Sequence, residues 1–138
     1  MEINRADVVA EVTEAFRHYE KALADGDNAA LIGYFWADPA IVRFGLADEQ
    51  RGIDELRAWR LDQPPTAPGR RLHDTVVTTF GPDLAVATTA FDYPDASAPG
   101  RQSQTWLRTP AGWRIVHAHV SRAEPARPDP TPHVPRAR

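Results

Sequence analysis

The chain of 138 residues contains no cysteine, which removes disulfides, thiolate metal sites and cysteine nucleophiles together. Its one lysine, Lys21, is the only side chain on which Schiff-base chemistry could rest, and its place beside Glu20 on a helical stretch marks it as solvated. No apolar run approaches a membrane span, and the opening MEINRADVV lacks a hydrophobic signal segment, so a cytoplasmic protein with no membrane partner is expected. No basic stripe relieves the net charge of −3, and nucleic acid is not an expected partner. A Gly-rich phosphate loop is missing, and no Ser-His-Asp arrangement can be argued from spacing. What remains is 42% hydrophobic and 25% charged, the balance of one ordinary globular domain able to bury a core without staples.

The best-defined stretch is Arg101 to Ser121, RQSQTWLRTPAGWRIVHAHVS, two strands joined by Thr109-Pro110-Ala111-Gly112. Proline pre-sets the φ that a type I turn needs, and glycine suits the left-handed bulge residue after it. A three-residue loop of this kind sets Thr109 opposite Trp113, Gln104 opposite Ala118 and Gln102 opposite Val120. One face then carries Gln102, Gln104, Trp106 and Val116. The other carries Trp113, Ile115, His117 and His119 with Ser103, Thr105 and Leu107. Neither face is purely polar, so both should be covered, one by the domain's own helices and the other by a second subunit.

Upstream, Val9, Val12, Phe16, Tyr19 and Leu23 mark one face of an amphipathic helix from about Arg5 to Ala24. Tyr19 sits on that buried stripe, so its hydroxyl needs an interior partner, which makes it a pocket candidate. Gly26 stops the helix, and Asp27 can cap a second, short one running through Leu31 to Phe35. Ala40 to Gly45 reads as a strand with Arg43 at its centre. Two readings stay open for it: an edge residue facing solvent, or a guanidinium at the bottom of a cavity, suited to bidentate binding of a carboxylate. After Arg51-Gly52 a third helix places Ile53, Leu56 and Trp59 inside, with Arg57 and Arg60 on the exposed side. The loop Gln63 to Gly69 precedes strands over Arg71 to Phe80 and Leu84 to Tyr93, and the final hairpin completes a four-strand meander. Residues 122–138, with five prolines in seventeen positions, are read as a disordered tail outside a domain of residues 1–121. The order of elements predicts an α+β fold, with N-terminal helices packed on a strongly bent antiparallel sheet to form a cone-shaped barrel with room for a small ligand.

The motifs F-W-x-D-P and V-R-F-G (Phe35 to Gly45), R-G-x-x-x-L-R-A (Arg51 to Ala58), V-V-T-T-F-G (Val76 to Gly81) and R-Q-S-Q-T-W with G-W-R-I-V-x-A-H-V-S carry a resemblance. The chain resembles the AtzH-like family of the nuclear-transport-factor-two-like (SnoaL-like) superfamily, associated with oxalurate and cyanuric acid catabolism. The resemblance implies an amidase-like conversion of 1,3-dicarboxyurea to allophanate, downstream of an amidase-signature enzyme and its small partner subunit. The family's catalytic tyrosine and arginine match Tyr19 and Arg43. The last hairpin is also similar to that of the association domain of calcium/calmodulin-dependent protein kinase, a ring former, in which the position of Gln104 is an arginine pointing into the pocket. A homodimer or larger homo-oligomer through the sheet follows as an expectation. His117 departs from the family, which has a small apolar residue there, and this speaks against a catalytic role for it.

Tyr19 and Arg43 suit a metal-free site for a small anion: arginine holds a carboxylate, and the tyrosine hydroxyl donates to a carbonyl oxygen or a leaving nitrogen. Gln102 and Gln104 offer amide groups to a urea-like backbone, and Trp36 and Arg60 join them as substrate-binding candidates. No cofactor is expected. His117 and His119 share a strand face and would need a third ligand, such as His73, to hold a metal, so a structural role is the expectation. Two other readings remain: a non-catalytic anion-binding partner of an amidase, and an isomerase or cyclase of the ketosteroid-isomerase kind, whose general base would have to be Asp74 or Asp92.

Overall fold

Helix α1 (Ala6–Ala24) buries Val8, Val12, Phe16, Tyr19 and Ala22, a stripe with the expected three-four spacing. The structure, a computed structural model, describes residues 1–95 and 98–123. Gly26 leaves the helix with φ 67°, and the Asp27 carboxylate accepts from the Ala30 N–H at 3.1 Å to cap α2 (Asn28–Gly33). Strands β1 (Val42–Phe44) and β2 (Glu49–Arg51) lead into α3 (Ile53–Leu61), followed by β3 (Arg71–Phe80), β4 (Leu84–Asp92), β5 (Gly100–Thr109) and β6 (Gly112–Arg122). The six strands form one sheet in the order β2-β1-β6-β5-β4-β3. It is not wholly antiparallel, because β1 pairs with β6 in parallel.

The core joins Val8, Val12 and Phe16 of α1 to Leu31, Leu56, Trp106 and Ile115, all of them buried. Each such side chain contributes about 1.5–3 kcal/mol by leaving water. This packing lays the helices over one face of the curled sheet and leaves the other face outward, where Val76 and Leu84 are exposed. Among the described residues no helix is long and apolar enough to cross a membrane. The proline-rich stretch from residue 124 lies outside the described residues. Arg122 belongs to β6, and the Ala123 N–H donates to Pro99 O at 2.8 Å.

The final hairpin is tighter at its turn than the sequence suggests. Thr109 pairs with Gly112, so the loop is Pro110-Ala111 alone, and Trp106 faces Ile115. A bulge between Thr105 and Trp106 then leaves Val116 without a partner, and beyond it Gln104 meets Ala118 and Gln102 meets Val120 as expected. Because one residue of slip exchanges the faces of a strand, Trp113 and Ile115 are buried with Trp106 rather than turned outward with His119.

At the entry to α1 the Arg5 Nε donates to Asp7 Oδ1 at 2.7 Å. This bond holds the Asp7 carboxyl at about 2, below its ordinary 3.8. A depressed carboxylate stabilises fully above its unfolded value and loses that share as pH falls towards the folded one. Asp7→Asn should therefore lower the melting temperature near neutral pH, and by much less at about pH 2. Thermal melts at the two values check this, and equal shifts at both would refute the assignment.

Candidate active site

The cone holds an open-mouthed cavity of about 250 Å³, bordered from α1 by Tyr19, from β1 by Arg43 and from α3 by Trp59 and Arg60. Arg70, Phe91, Tyr93 and Gln102 border its other side. The size admits a small ligand.

Tyr19 is only 4% exposed. Its ring is pinned edge-on by Tyr34, Phe35 and Trp106, with centroids 6.0, 6.4 and 6.4 Å away. That cage leaves the hydroxyl end to border the cavity beside Arg60. Arg43 is buried as well, and its Nη1 donates to Asp48 Oδ1 at 2.7 Å and to Gln50 Oε1 at 3.0 Å. Gln50 Nε2 closes the triangle on Asp48 Oδ1 at 2.9 Å. Gly45 makes the turn possible, since a Cβ there would overlap the Asp48 carboxylate. Nε and Nη2 of Arg43 have no protein acceptor among the described residues, so a ligand can take them.

Both guanidiniums of this wall stack on one indole: the Cζ of Arg43 lies 4.2 Å and that of Arg60 4.5 Å from the Trp59 ring centroid. Arg60 has no carboxylate partner among the described residues. Burial pushes its guanidinium below the ordinary value, the Tyr19 hydroxyl pulls the other way, and the neighbouring Arg43 charge adds to the depression. A buried cation without a counter-ion is costly, and an anionic ligand relieves that cost.

Across the cavity, Arg70 Nε and Nη2 donate to the two carboxylate oxygens of Glu20 at 2.8 and 3.3 Å. Nη2 also reaches Gln102 Oε1 at 3.2 Å, and Nη1 the Tyr93 hydroxyl at 3.3 Å. Burial lowers the Arg70 guanidinium, but Glu20 and Tyr93 together outweigh that and leave it above its ordinary value. The Cζ lies 4.1 Å over the Phe91 ring, which in turn lies against Gly100, its cross-strand partner; a Cβ at Gly100 would overlap the ring.

Of the residues expected in the site, Tyr19, Arg43, Arg60 and Gln102 border one cavity. Arg60, placed on the exposed side by the Ile53-Leu56-Trp59 stripe, is 9% exposed because it follows Leu56 by four residues on the buried face of α3. Gln104 is fully buried outside the cavity lining, where its Oε1 accepts from Trp106 Nε1 at 3.1 Å. Trp36 is elsewhere. Its N–H donates to Ile115 O at 3.0 Å, which fixes it near the turn end of β6, in a separate groove with Ile32 and Pro110.

The histidines do not meet. His117 Nδ1 bonds Val42 O at 2.9 Å, its ring and that of His119 flank Phe44, and His73 pairs with Asp92 at 2.9 Å. Among the described residues no three of His, Asp and Glu gather as a metal site. Asp74 is exposed at the β3 bulge, and Asp92 is engaged by Arg71 and His73, so neither faces the cavity. The acid of the wall is Asp48, which sequence reasoning missed along with Glu20, Trp59 and Arg70. The one signal for Arg70 is its place directly after the proline loop. Nothing in the sequence ties it to Glu20, fifty residues away.

Helices folded over a curled sheet around a ligand-sized cavity define the nuclear-transport-factor-two-like class. A protein of that class and of unknown function from Pseudomonas putida superposes with TM-score 0.69, at 21% identity over 85% of this chain and 87% of its own. Nearer in sequence are a protein of unknown function from Pectobacterium atrosepticum (49% identity, 88% of this chain and 95% of that one, TM-score 0.85) and a cystatin-like fold protein from Burkholderia xenovorans (48% identity, 91% and 99%, TM-score 0.87). The AtzH-like family model matches residues 1–126, and the chain belongs to that family. No curated protein matches it at a significant level.

Proposed function

We propose that the protein is a small hydrolase of carboxylated ureas, with 1,3-dicarboxyurea as the substrate suggested by its family. The observation that carries this reading is the cavity in which the Tyr19 hydroxyl stands beside Arg60, a buried guanidinium with no carboxylate in contact among the described residues. A carboxylate of the substrate settles on Arg60, and the free N–H groups of Arg43 meet the urea carbonyl. The bond between a urea nitrogen and its carboxyl carbon then breaks. Its electron pair goes to the nitrogen, which takes a proton from the Tyr19 hydroxyl, and water restores that proton while the released carbon dioxide is hydrated. In sum, the dicarboxyurea dianion and one water give allophanate and bicarbonate. N-carboxylated ureas are intrinsically labile, so positioning and charge supply much of what the step needs. An amidase-signature enzyme with its small subunit is the expected source of such a substrate.

An isomerase of the ketosteroid-isomerase kind would need a free carboxylate base. Asp48 is the acid in the wall, and its Oδ1 already accepts from Arg43 and Gln50, which disfavours that reading. The test is turnover: the purified protein mixed with freshly generated 1,3-dicarboxyurea should release allophanate well above the spontaneous rate. Release at the spontaneous rate, with the anion bound, would favour the non-catalytic binder instead.

A further inference from the structure

The cavity is unevenly charged from one side to the other. On the β1 and α3 side, Arg60 has no carboxylate partner among the described residues and Arg43 keeps two N–H groups of its guanidinium free. On the β3 and β4 side, Arg70 is met by Glu20 through both carboxylate oxygens. Those two side chains are 8% and 12% exposed, so solvent screens the pair little. Strands β6 and β5 separate the two sides in the sheet. The buried Arg70 therefore brings hydrogen bonds without net charge, and the other cation of that lining, Arg122, is exposed, where solvent screens it.

We infer that Glu20 is a specificity-determining residue: by cancelling Arg70 it keeps one end of the cavity neutral, so a substrate docks with its retained carboxylate on Arg60 and its departing carboxyl group at the neutral end. This deepens the hydrolase reading and rests on it. The physical reason lies in where charge moves. As the departing carboxylate becomes carbon dioxide, its negative charge passes to the urea nitrogen and is quenched by the tyrosine proton. A free guanidinium gripping that carboxylate would stabilise the bound state more than the transition state, tightening binding and slowing release. A neutral end of the same shape, with Gln102 and Tyr93 as hydrogen-bonding groups, orients the departing group without holding its charge.

Two inert probes separate the ends: glutarate, whose carboxyl carbons are three atoms apart as in dicarboxyurea, carries a carboxylate at both, glutaramate a carboxylate at one and an amide at the other. Calorimetry on the full chain at fixed ionic strength should show Glu20→Gln binding glutarate about tenfold more tightly than the native protein, with glutaramate unchanged. On the carboxylated urea the same variant should show KM and kcat falling together, the split expected when ground-state binding is gained at the expense of the transition state. The double variant Glu20→Met, Arg70→Met carries no charge at those two positions and should keep the native glutarate-to-glutaramate preference, even if Glu20→Gln alone does not fold. An unchanged preference in Glu20→Gln, or a changed one in the double variant, overturns the inference. The expected probe behaviour without turnover of carboxylated ureas would instead remove the hydrolase reading and leave the charge arrangement standing.

Discussion

Tyr19→Phe should lose between about a hundredfold and ten-thousandfold in kcat on a carboxylated urea while folding normally. The phenyl ring keeps every edge contact with Tyr34, Phe35 and Trp106, since those are made by the ring and not by the hydroxyl. Only the proton donor is removed. The carboxylate contacts at Arg60 are untouched, so the dissociation constant for glutarate should stay within a few-fold of native. This pattern, a loss in kcat without a loss in anion binding, is what separates a proton donor from a residue that shapes the pocket. Arg43→Ala is a less clean probe, because it strands the Asp48 and Gln50 side chains that Arg43 holds. Steady-state kinetics with calorimetry decides the matter: a phenylalanine variant with native kcat would exclude Tyr19 from the chemistry.

Gly100→Ala is the second large effect, and it acts through shape. The added methyl overlaps the Phe91 ring, and Phe91 is 8% exposed with Arg70 stacked 4.1 Å above it. The ring has to leave its place, into the cavity or against Arg70. Overpacking of this kind costs about 1–3 kcal/mol, and displacement of the ring should also weaken glutarate binding by an order of magnitude or more. Gly33→Ala is the matched control. It adds the same methyl at the end of α2, where no atom lies within 4 Å, and should be neutral or stabilising by up to about 1 kcal/mol. Chemical denaturation of the three proteins, read with the calorimetry, checks both parts; equal stabilities for native and Gly100→Ala would mean that Phe91 moves aside without cost.

Local patterns carried most of the architecture. The three-four stripe of α1, the Asp27 cap and the alternation in β5 each depend on neighbours a few residues away and appear as the sequence reads them, save that Val8 and Ala22 take the buried places given to Val9 and Leu23. The register of the last hairpin was legible only in part. A proline-glycine turn signals a hairpin but does not fix its loop to two residues or three, and the compensating bulge at Val116 answers to packing by distant elements. The site divides along the same line. Tyr19 and Arg43 stand out because each is polar in an apolar stretch. Arg60 was misplaced by reading three apolar residues as the whole inner face of a helix that also buries an arginine. The Glu20–Arg70 and Arg43–Asp48 pairs are set by tertiary contact or by a glycine-dependent turn, and neither leaves a periodic trace.

The bulge at Val116 lets one hairpin serve two masters. Below it, toward the turn, pairing delivers Trp113 and Ile115 to the core; above it, toward the cavity mouth, pairing delivers Gln102 and Val120 to the ligand. Without the extra residue, a single register would govern both, and any turn that suited the core would aim the ligand-facing side chains of β6 away from the cavity. With it, a two-residue turn that suits the core and a register that suits the cavity coexist in one hairpin.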